Sequence, residues 1–155
     1  MKFANPVTTP LVAVLFLCGV PDCLAETPLN QLSPAESRSG WKLLFDGQTK
    51  DGWRNYQSKG VSDGWVVKDG ILNRARKGAG DLVTENQYEN FELAIEYRIS
   101  EGGNSGVLFH VTEDSKKAWH SGPEMQLYDN ANVKSSQKSG WLYELYKPVK
   151  PGWAM

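Results

Sequence analysis

The sequence predicts an all-β fold, an antiparallel β-sandwich, from three features of its residue pattern. Turn residues recur about every 8 to 15 positions from residue 40 onward, which is typical of short strands joined by tight connections. No segment of this region sustains the apolar period of roughly 3.6 residues that marks a helix. Residues 91–100 instead alternate apolar and polar side chains, as a strand with one buried face does.

Eight strands are predicted, and each is a short apolar or alternating run bounded by turn residues. Asp69-Gly70 joins two of them as a tight hairpin, because both residue types accept the positive φ angles of such a turn. The predicted strands, in chain order, are 41–45, 65–68, 71–75, 81–84, 91–100, 106–112, 124–128 and 141–146.

The first 25 residues have the layout of a secretory signal peptide. Lys2 precedes an apolar run at residues 11–20, and small residues lead to a cleavage site after Ala25. The run is about half as long as the ~20 residues of a membrane-spanning helix, which favours a cleaved leader over a retained anchor. Cys18 and Cys23 both lie in the leader, so the mature chain has no cysteine for a disulfide or a metal site.

The rest of the chain is predicted to be one domain with a short arm. Residues 26–39 are a polar lead-in, and residues 40–155 form the β-sandwich domain. The leader places the mature protein in the periplasm or outside the cell, with no transmembrane segment after cleavage. A net charge of −1 and the lack of a basic stripe exclude a nucleic-acid footprint. Six Trp and six Tyr suit sugar stacking, although such side chains also fill β-sandwich cores.

Three of the predicted strands each carry a polar face. Residues 91–100 direct Glu92, Ala94, Glu96 and Arg98 to one side by alternation. Residues 106–112 turn Leu108 and His110 away from an apolar face, and residues 124–128 align Glu124, Gln126 and Tyr128. If the three strands belong to one sheet, these side chains line one concave surface.

Seven short motifs follow one another from residue 40 to residue 126. They are GWKLLFDG (40–47) with DGW (51–53), GWVVKDG (64–70), LVTE (82–85), FEL (91–93), EYR (96–98), GNSGV (103–107) and GPEMQ (122–126). In this order and at these spacings they resemble the 3-keto-disaccharide hydrolase family. The resemblance covers residue 40 to about residue 153, which is nearly all of the predicted mature chain.

The resemblance implies a concanavalin A-like sandwich of two antiparallel sheets. It also implies glycoside substrates already oxidised at C3, so a separate sugar 3-oxidoreductase is the expected pathway partner. The family continues through further strands after the motif that 141–146 resembles, whereas this sequence ends at Met155. The expected domain is therefore partial at its C-terminal end, and its activity depends on what the missing strands supply.

The chemistry implied for a 3-keto sugar differs from that of ordinary glycosidases. The ketone acidifies the proton on C2, so a general base can form an enolate that expels the glycosidic oxygen from C1. A hydrogen-bonding or positive group for the enolate oxygen and an acid for the leaving group complete this route. Glu92 and Glu96 would stand ~13 Å apart on one strand, too far for the carboxylate pair of a retaining or inverting glycosidase. A cross-strand pair such as Glu96 with Glu124 stays open.

Three residues are the catalytic candidates. Glu124 follows Gly122-Pro123, a turn that sets it at the start of a strand, and it is the first choice for the acid–base carboxylate. Glu96 is the second carboxylate on a polar face. His110 could move a proton near neutral pH.

Five more residues are candidates for binding the substrate. Their types suit sugar hydroxyls or an enolate oxygen, and they are Arg98, Asn104, His120, Gln126 and Asp129. Asp129 could instead join Glu124 and His110 around a divalent cation, which leaves the metal and the cofactor open.

Each candidate also has a structural explanation. Glu96 and Arg98 could be a solvated pair, Asn104 could lie in a simple turn after Gly102-Gly103, and Asp129 could cap a loop. Two other functions stay open for the whole chain. One is a carbohydrate-binding module without catalysis, because fold does not determine function, and the other is a truncated remnant.

Overall fold

The structure is a computed structural model that describes residues 1–4, 28–132 and 137–146. Every strand pairing in this part of the chain is antiparallel, which confirms the all-β antiparallel class. The strands are β1 (Lys2–Ala4), β2 (Lys42–Leu43), β3 (Trp53–Asn55), β4 (Trp65–Lys68), β5 (Ile71–Arg74), β6 (Leu82–Thr84), β7 (Glu92–Ala94), β8 (Asn104–Leu108) and β9 (Glu124–Tyr128). No helix in the described ranges is long and apolar enough to span a membrane.

The chain divides into two compact units, Met1–Ile95 and Glu96–Met155. The first contains a three-stranded sheet of order β2-β1-β7 and two strand pairs, β3-β6 and β4-β5. The second contains the β8-β9 pair. Two short 3₁₀ helices, Ala118–His120 and Asn130–Asn132, lie on either side of β9 in the chain.

The hairpin between β4 and β5 forms as predicted. Lys68 pairs with Ile71, and Asp69 and Gly70 have φ angles of 52° and 73°. Both central residues of this turn therefore have positive φ, the conformation that matches the twist of the flanking strands.

β1 lies at the centre of the three-stranded sheet. Phe3 is 2% exposed, and its ring centroid is 4.0 Å from that of Tyr88 and 5.9 Å from that of Phe91. This strand belongs to the predicted leader, whose residues 5–25 lie outside the described part of the chain. Cleavage after Ala25 would remove β1 and leave the facing edges of β2 and β7 unpaired.

The polar lead-in contains a helix that the sequence analysis did not predict, α1 (Pro34–Arg38). Ser33 caps it, and Ser33 and Glu36 form a reciprocal capping box, with Pro at the first position. Glu36 also accepts a 2.6 Å hydrogen bond from Lys2 Nζ. This bond, together with those from Ser33, lowers the pKa of Glu36 to about 2.

Two tryptophans of the first unit have structural roles. Trp53 Nε1 donates to the Leu44 carbonyl at 2.6 Å, and Trp65 Nε1 donates to the Gly80 carbonyl at 3.0 Å. Beside them, the buried Asn55 donates to the carbonyls of Ala79 and Asp81 and accepts from the Ser62 amide. Some of the tryptophans therefore stabilise the fold, which is the alternative to sugar stacking that was named for the high aromatic content.

Several strand boundaries differ from the prediction. The run at 91–100 is a strand only over Glu92–Ala94, because residues 95–100 pair with no described strand. The strand predicted at 106–112 lies at Asn104–Leu108 and ends before His110, whose φ is +53°. Residues 141–146 form only isolated bridges, and β3 was missed.

The three strands expected to line one concave surface do not belong to one sheet. β7 pairs with β1, while β8 and β9 pair with each other in a separate sheet. The alternation was read correctly over the residues that form strands, but alternation does not say which strands are neighbours. Of the three strands, only β8 and β9 pair with each other.

Candidate functional site

The β8-β9 pair places three of the predicted site residues on one face. Its register joins Asn104 with Tyr128, Gly106 with Gln126, and Leu108 with Glu124. Residues paired across an antiparallel ladder point to the same side, so all six share a face. The opposite face carries Ser105, Val107, Met125 and Leu127, and Leu127 is buried.

Asn104 and Gln126 are joined on this face. Gln126 Nε2 donates to Asn104 Oδ1 at 2.9 Å, and Gln126 is only 1% exposed, whereas Asn104 is exposed. Asn104 does not lie in the turn that was named as its alternative role. The turn is at residues 100–103, where the Gly103 amide donates to the Ser100 carbonyl, and Asn104 is the first residue of β8. The buried glutamine thus orients an exposed amide that is available to a solute.

Glu124 lies half-buried at the other end of the same face. A Cβ on Gly106 would overlap the Glu124 carboxylate, so that carboxylate lies directly over the glycine. A glycine inside a strand often marks such a close approach. Gly106 therefore gives the carboxylate its place between Leu108 and the Asn104–Gln126 pair.

We expect Gly106→Ala to displace Glu124. The backbone of β8 accepts alanine, because Gly106 is absent from the positive-φ glycines, so the new methyl group acts mainly on the carboxylate. With Glu124 in the acid–base role predicted from the sequence, catalytic activity should fall by up to about 10²-fold, as expected when a reacting group is misplaced. Unfolding free energy should fall by about 1 kcal/mol, the low end for an added methyl group. Gly60→Ala is the control, because a Cβ added at Gly60 would have no heavy atom within 4 Å. Equal activity in the two variants would contradict the prediction that the added methyl group displaces Glu124 from a catalytic position.

The second edge of β9 is held by the segment that follows it. The Gln126 amide donates to the Trp141 carbonyl, and the Tyr143 amide donates to the Glu124 carbonyl, both at 2.8 Å. The buried Ser139 exchanges hydrogen bonds with the Tyr128 backbone. β9 is therefore fixed on both edges, so the carboxylate and amides on its face stand on a rigid strand.

Asp129 closes the far end of this strand pair. Its Oδ2 accepts from the Gly102 amide at 2.9 Å, and its Oδ1 accepts from the Ala131 amide at 3.1 Å. These two bonds, the one from Gly102 first, lower the pKa of Asp129 below its ordinary value. Both oxygens bond to backbone amides, which is the loop-capping role named as the alternative to cation or sugar binding.

We expect Asp129→Asn to change the acid dependence of stability. A carboxyl whose pKa is lower in the folded state stabilises the fold above its unfolded pKa, whose reference value is 3.8. That contribution disappears as pH falls through the lowered folded pKa. The variant should be less stable than the parent at pH 7 and should converge with it toward pH 2, in thermal melts across this range. A constant difference at every pH would contradict the assignment.

The two histidines lie in the connection between β8 and β9. His110 is exposed, has a positive φ and meets the Phe109 ring edge-on at 5.8 Å. Its placement by strand alternation is therefore wrong, because the strand ends two residues earlier. His120 is exposed at the end of the 3₁₀ helix Ala118–His120.

Glu96 and Arg98 are exposed and lie outside the strands. Within the described residues no ion pair joins them, so the solvated pair named as an alternative is not observed either. The structure does not bring them onto the β8-β9 face. Across the described ranges, no three His, Cys, Asp or Glu side chains are grouped to hold a metal ion.

Comparison with known proteins decides the family. Residues 40–153 match the family described as the 3-keto-alpha-glucoside-1,2-lyase-like domain. The chain belongs to this family. The matched range agrees with the extent of the resemblance to the 3-keto-disaccharide hydrolases, from residue 40 to about residue 153.

Two proteins similar to this chain can be named. A protein of Bacteroides thetaiotaomicron named 3-keto-disaccharide hydrolase is 31% identical over an aligned length of 151 residues. The match covers 81% of this chain and 52% of the relative. A crystal structure from Parabacteroides distasonis, described provisionally as a glycosyl hydrolase, is 30% identical with a TM-score of 0.66, over 79% of this chain and 62% of that one. This likeness agrees with the predicted β-sandwich. The chain spans about half the length of the curated relative.

Gly106 belongs to the candidate site but was not among the residues predicted for it. Its position in GNSGV was quoted as part of a motif, but its role depends on the register that puts Glu124 over it. A glycine within a predicted strand was the available signal. Gln126 was found, although its burial makes it a positioning residue for Asn104.

Proposed function

We propose that this chain carries the acid–base and sugar-binding face of an enzyme that cleaves the glycosidic bond of 3-keto disaccharides. The observation that supports it best is the half-buried Glu124 carboxylate held over Gly106, beside the buried Gln126 and the exposed Asn104. A single carboxylate next to amide groups suits proton abstraction α to a ketone. It does not suit the two-carboxylate mechanism of ordinary glycosidases.

In the proposed reaction Glu124 takes the proton from C2 of the 3-keto sugar. The electron pair of that bond moves toward the C3 carbonyl and forms an enolate, whose oxygen accepts a hydrogen bond from an amide such as that of Asn104. The enolate then re-forms the ketone and expels the glycosidic oxygen from C1, which takes up a proton. Water adds at C1 of the resulting enone and a proton returns to C2, which gives net hydrolysis.

The source of the leaving-group proton is proposed to be a histidine of the β8-β9 connection. His110 and His120 both lie in the chain between Leu108 and Glu124, and both are exposed. An imidazole side chain can both donate and accept a proton, as this step requires. We further propose that the protein acts outside the cytoplasm, in the periplasm or the medium, on ketones made by a separate sugar oxidoreductase.

The test compares a 3-keto disaccharide with its unoxidised parent. The 155-residue chain is incubated with each compound, and the products are followed by mass spectrometry and NMR. We expect release of free sugars from the keto compound alone, and in D₂O we expect one deuterium at C2 of the released 3-keto sugar. A folded chain that cuts neither compound would contradict the proposal and favour a carbohydrate-binding module, whereas cleavage without deuterium at C2 would contradict the enolate route.

A further inference from the structure

The connection between β8 and β9 presents an exposed tryptophan five residues before the candidate base. Trp119 is 54% exposed and lies in the 3₁₀ helix Ala118–His120. The connection closes the strand pair at the end where Leu108 pairs with Glu124. Trp119 is five residues before Glu124 in the chain, so their Cα atoms are at most ~18 Å apart.

This helix is fixed to the rest of the connection. Ala118 is 1% exposed, and Ser121 Oγ accepts from the Thr112 amide and lies within hydrogen-bond distance of the Thr112 and Ala118 carbonyls. A Cβ on Gly122 would overlap the Phe109 carbonyl, so the two arms of the connection touch there. The indole therefore stands on a well-anchored base, and a solute that binds it need not order the chain.

The surroundings of the indole cover only part of it. Lys117 Nζ lies over the ring, 4.9 Å from its centroid, and the His120 ring meets the indole edge-on at 6.0 Å. A ligand would contact the part of the ring that these two side chains leave exposed. The indole N–H has no hydrogen bond among the described residues, in contrast to those of Trp53 and Trp65, which are bonded to carbonyls. An exposed aromatic ring with a free donor at its edge can bind the C–H face of a sugar and one of its hydroxyls.

Resting on the proposed function, we propose that Trp119 binds the second sugar ring of the substrate, the one that leaves when the bond is cut. Glu124 reacts at the 3-keto ring, so the leaving ring must extend from it toward a further part of the surface. The connection that carries Trp119 is the part that adjoins the Glu124 end of the strand pair. The ligand class is a neutral pyranose ring with an apolar C–H face, and its oxidation state is unimportant because it does not react.

The first test compares two substrates. Trp119→Ala is expected to raise KM for a 3-keto disaccharide about threefold to tenfold, the range for one aromatic contact, with kcat nearly unchanged. A 3-keto methyl glycoside has no second ring, so its KM should not change. Trp119→Phe should retain most of the affinity. Tyr146→Ala removes a 72% exposed aromatic ring from the segment after β9 and should have no effect.

Equal effects of Trp119→Ala on both substrates, or none on the disaccharide, would overturn the proposal. The second test does not need turnover. The unoxidised parent disaccharide is titrated into the 155-residue chain, and its sugar protons are observed by saturation-transfer NMR. Saturation of one ring that disappears in Trp119→Ala but not in Tyr146→Ala supports the site even if no keto compound is cut, and unchanged saturation contradicts it.

Discussion

Glu124→Gln should lower kcat for a 3-keto disaccharide by about 10²- to 10⁴-fold, the contribution of a general base. Glutamine has almost the same shape as glutamate but cannot take the C2 proton. The side chain should still fit over Gly106, where the carboxylate now lies. The substitution therefore separates catalysis from binding, and KM should change little.

The matched control for this substitution is Glu101→Gln. Glu101 is exposed in the turn before β8 and belongs to the same unit of the chain. Its variant should keep parental kcat and parental thermal stability. If Glu124→Gln is as active as Glu101→Gln, the base lies elsewhere. If the chain binds the disaccharide equally well in both variants and cuts it in neither parent nor variant, it is a binding module.

Phe3→Ala should reduce the unfolding free energy of the 155-residue chain by about 3–5 kcal/mol, the usual cost of truncating a buried phenylalanine. Phe3 is 2% exposed and packs on Tyr88 and Phe91 at the centre of its sheet. Truncation removes apolar contacts and leaves a cavity between β2 and β7. The measurement is a urea melt of chain made without export, so that the predicted leader is retained.

Leu29→Ala is the control for Phe3, because Leu29 is 67% exposed in the same unit. It should change stability by less than about 0.5 kcal/mol. If Phe3→Ala has no larger effect than Leu29→Ala, β1 contributes nothing to the folded state. A large effect would mean that cleavage after Ala25 removes a stabilising strand. Another extended segment would then have to pair with β2 and β7, because unpaired strand edges favour aggregation.

The fold class was accessible from sequence because strands and turns have local chemical signatures. The Asp69-Gly70 turn and the strand at residues 65–68 were predicted correctly, since positive φ preference and alternation are properties of neighbouring residues. The same alternation at residues 91–100 overstated the strand. A run of suitable residues becomes a strand only where a neighbouring strand is present to accept and donate its backbone hydrogen bonds. The local sequence does not show where such a neighbour lies.

The candidate site was predictable in part for the same reason. Glu124, Gln126 and Tyr128 were placed on one face by their spacing, and β9 has the predicted bounds. His110 was misplaced because its positive φ ends the alternation after Leu108. For Asp129 the alternative role of a loop cap was named, and the structure shows that role. Its two backbone donors could not be identified from sequence, because Gly102 precedes β8 and Ala131 follows β9.

By itself, the sequence determined the all-β class, the family and the residue types that suit chemistry on a 3-keto sugar, because these follow from local pattern and motif order. Only the tertiary structure decided which faces adjoin, that Gln126 is buried and holds Asn104, and that Gly106 lies under the Glu124 carboxylate. The physical reason is that strand register and burial arise from contacts between residues distant in the chain. One residue of register shift would have turned Glu124 to the opposite face.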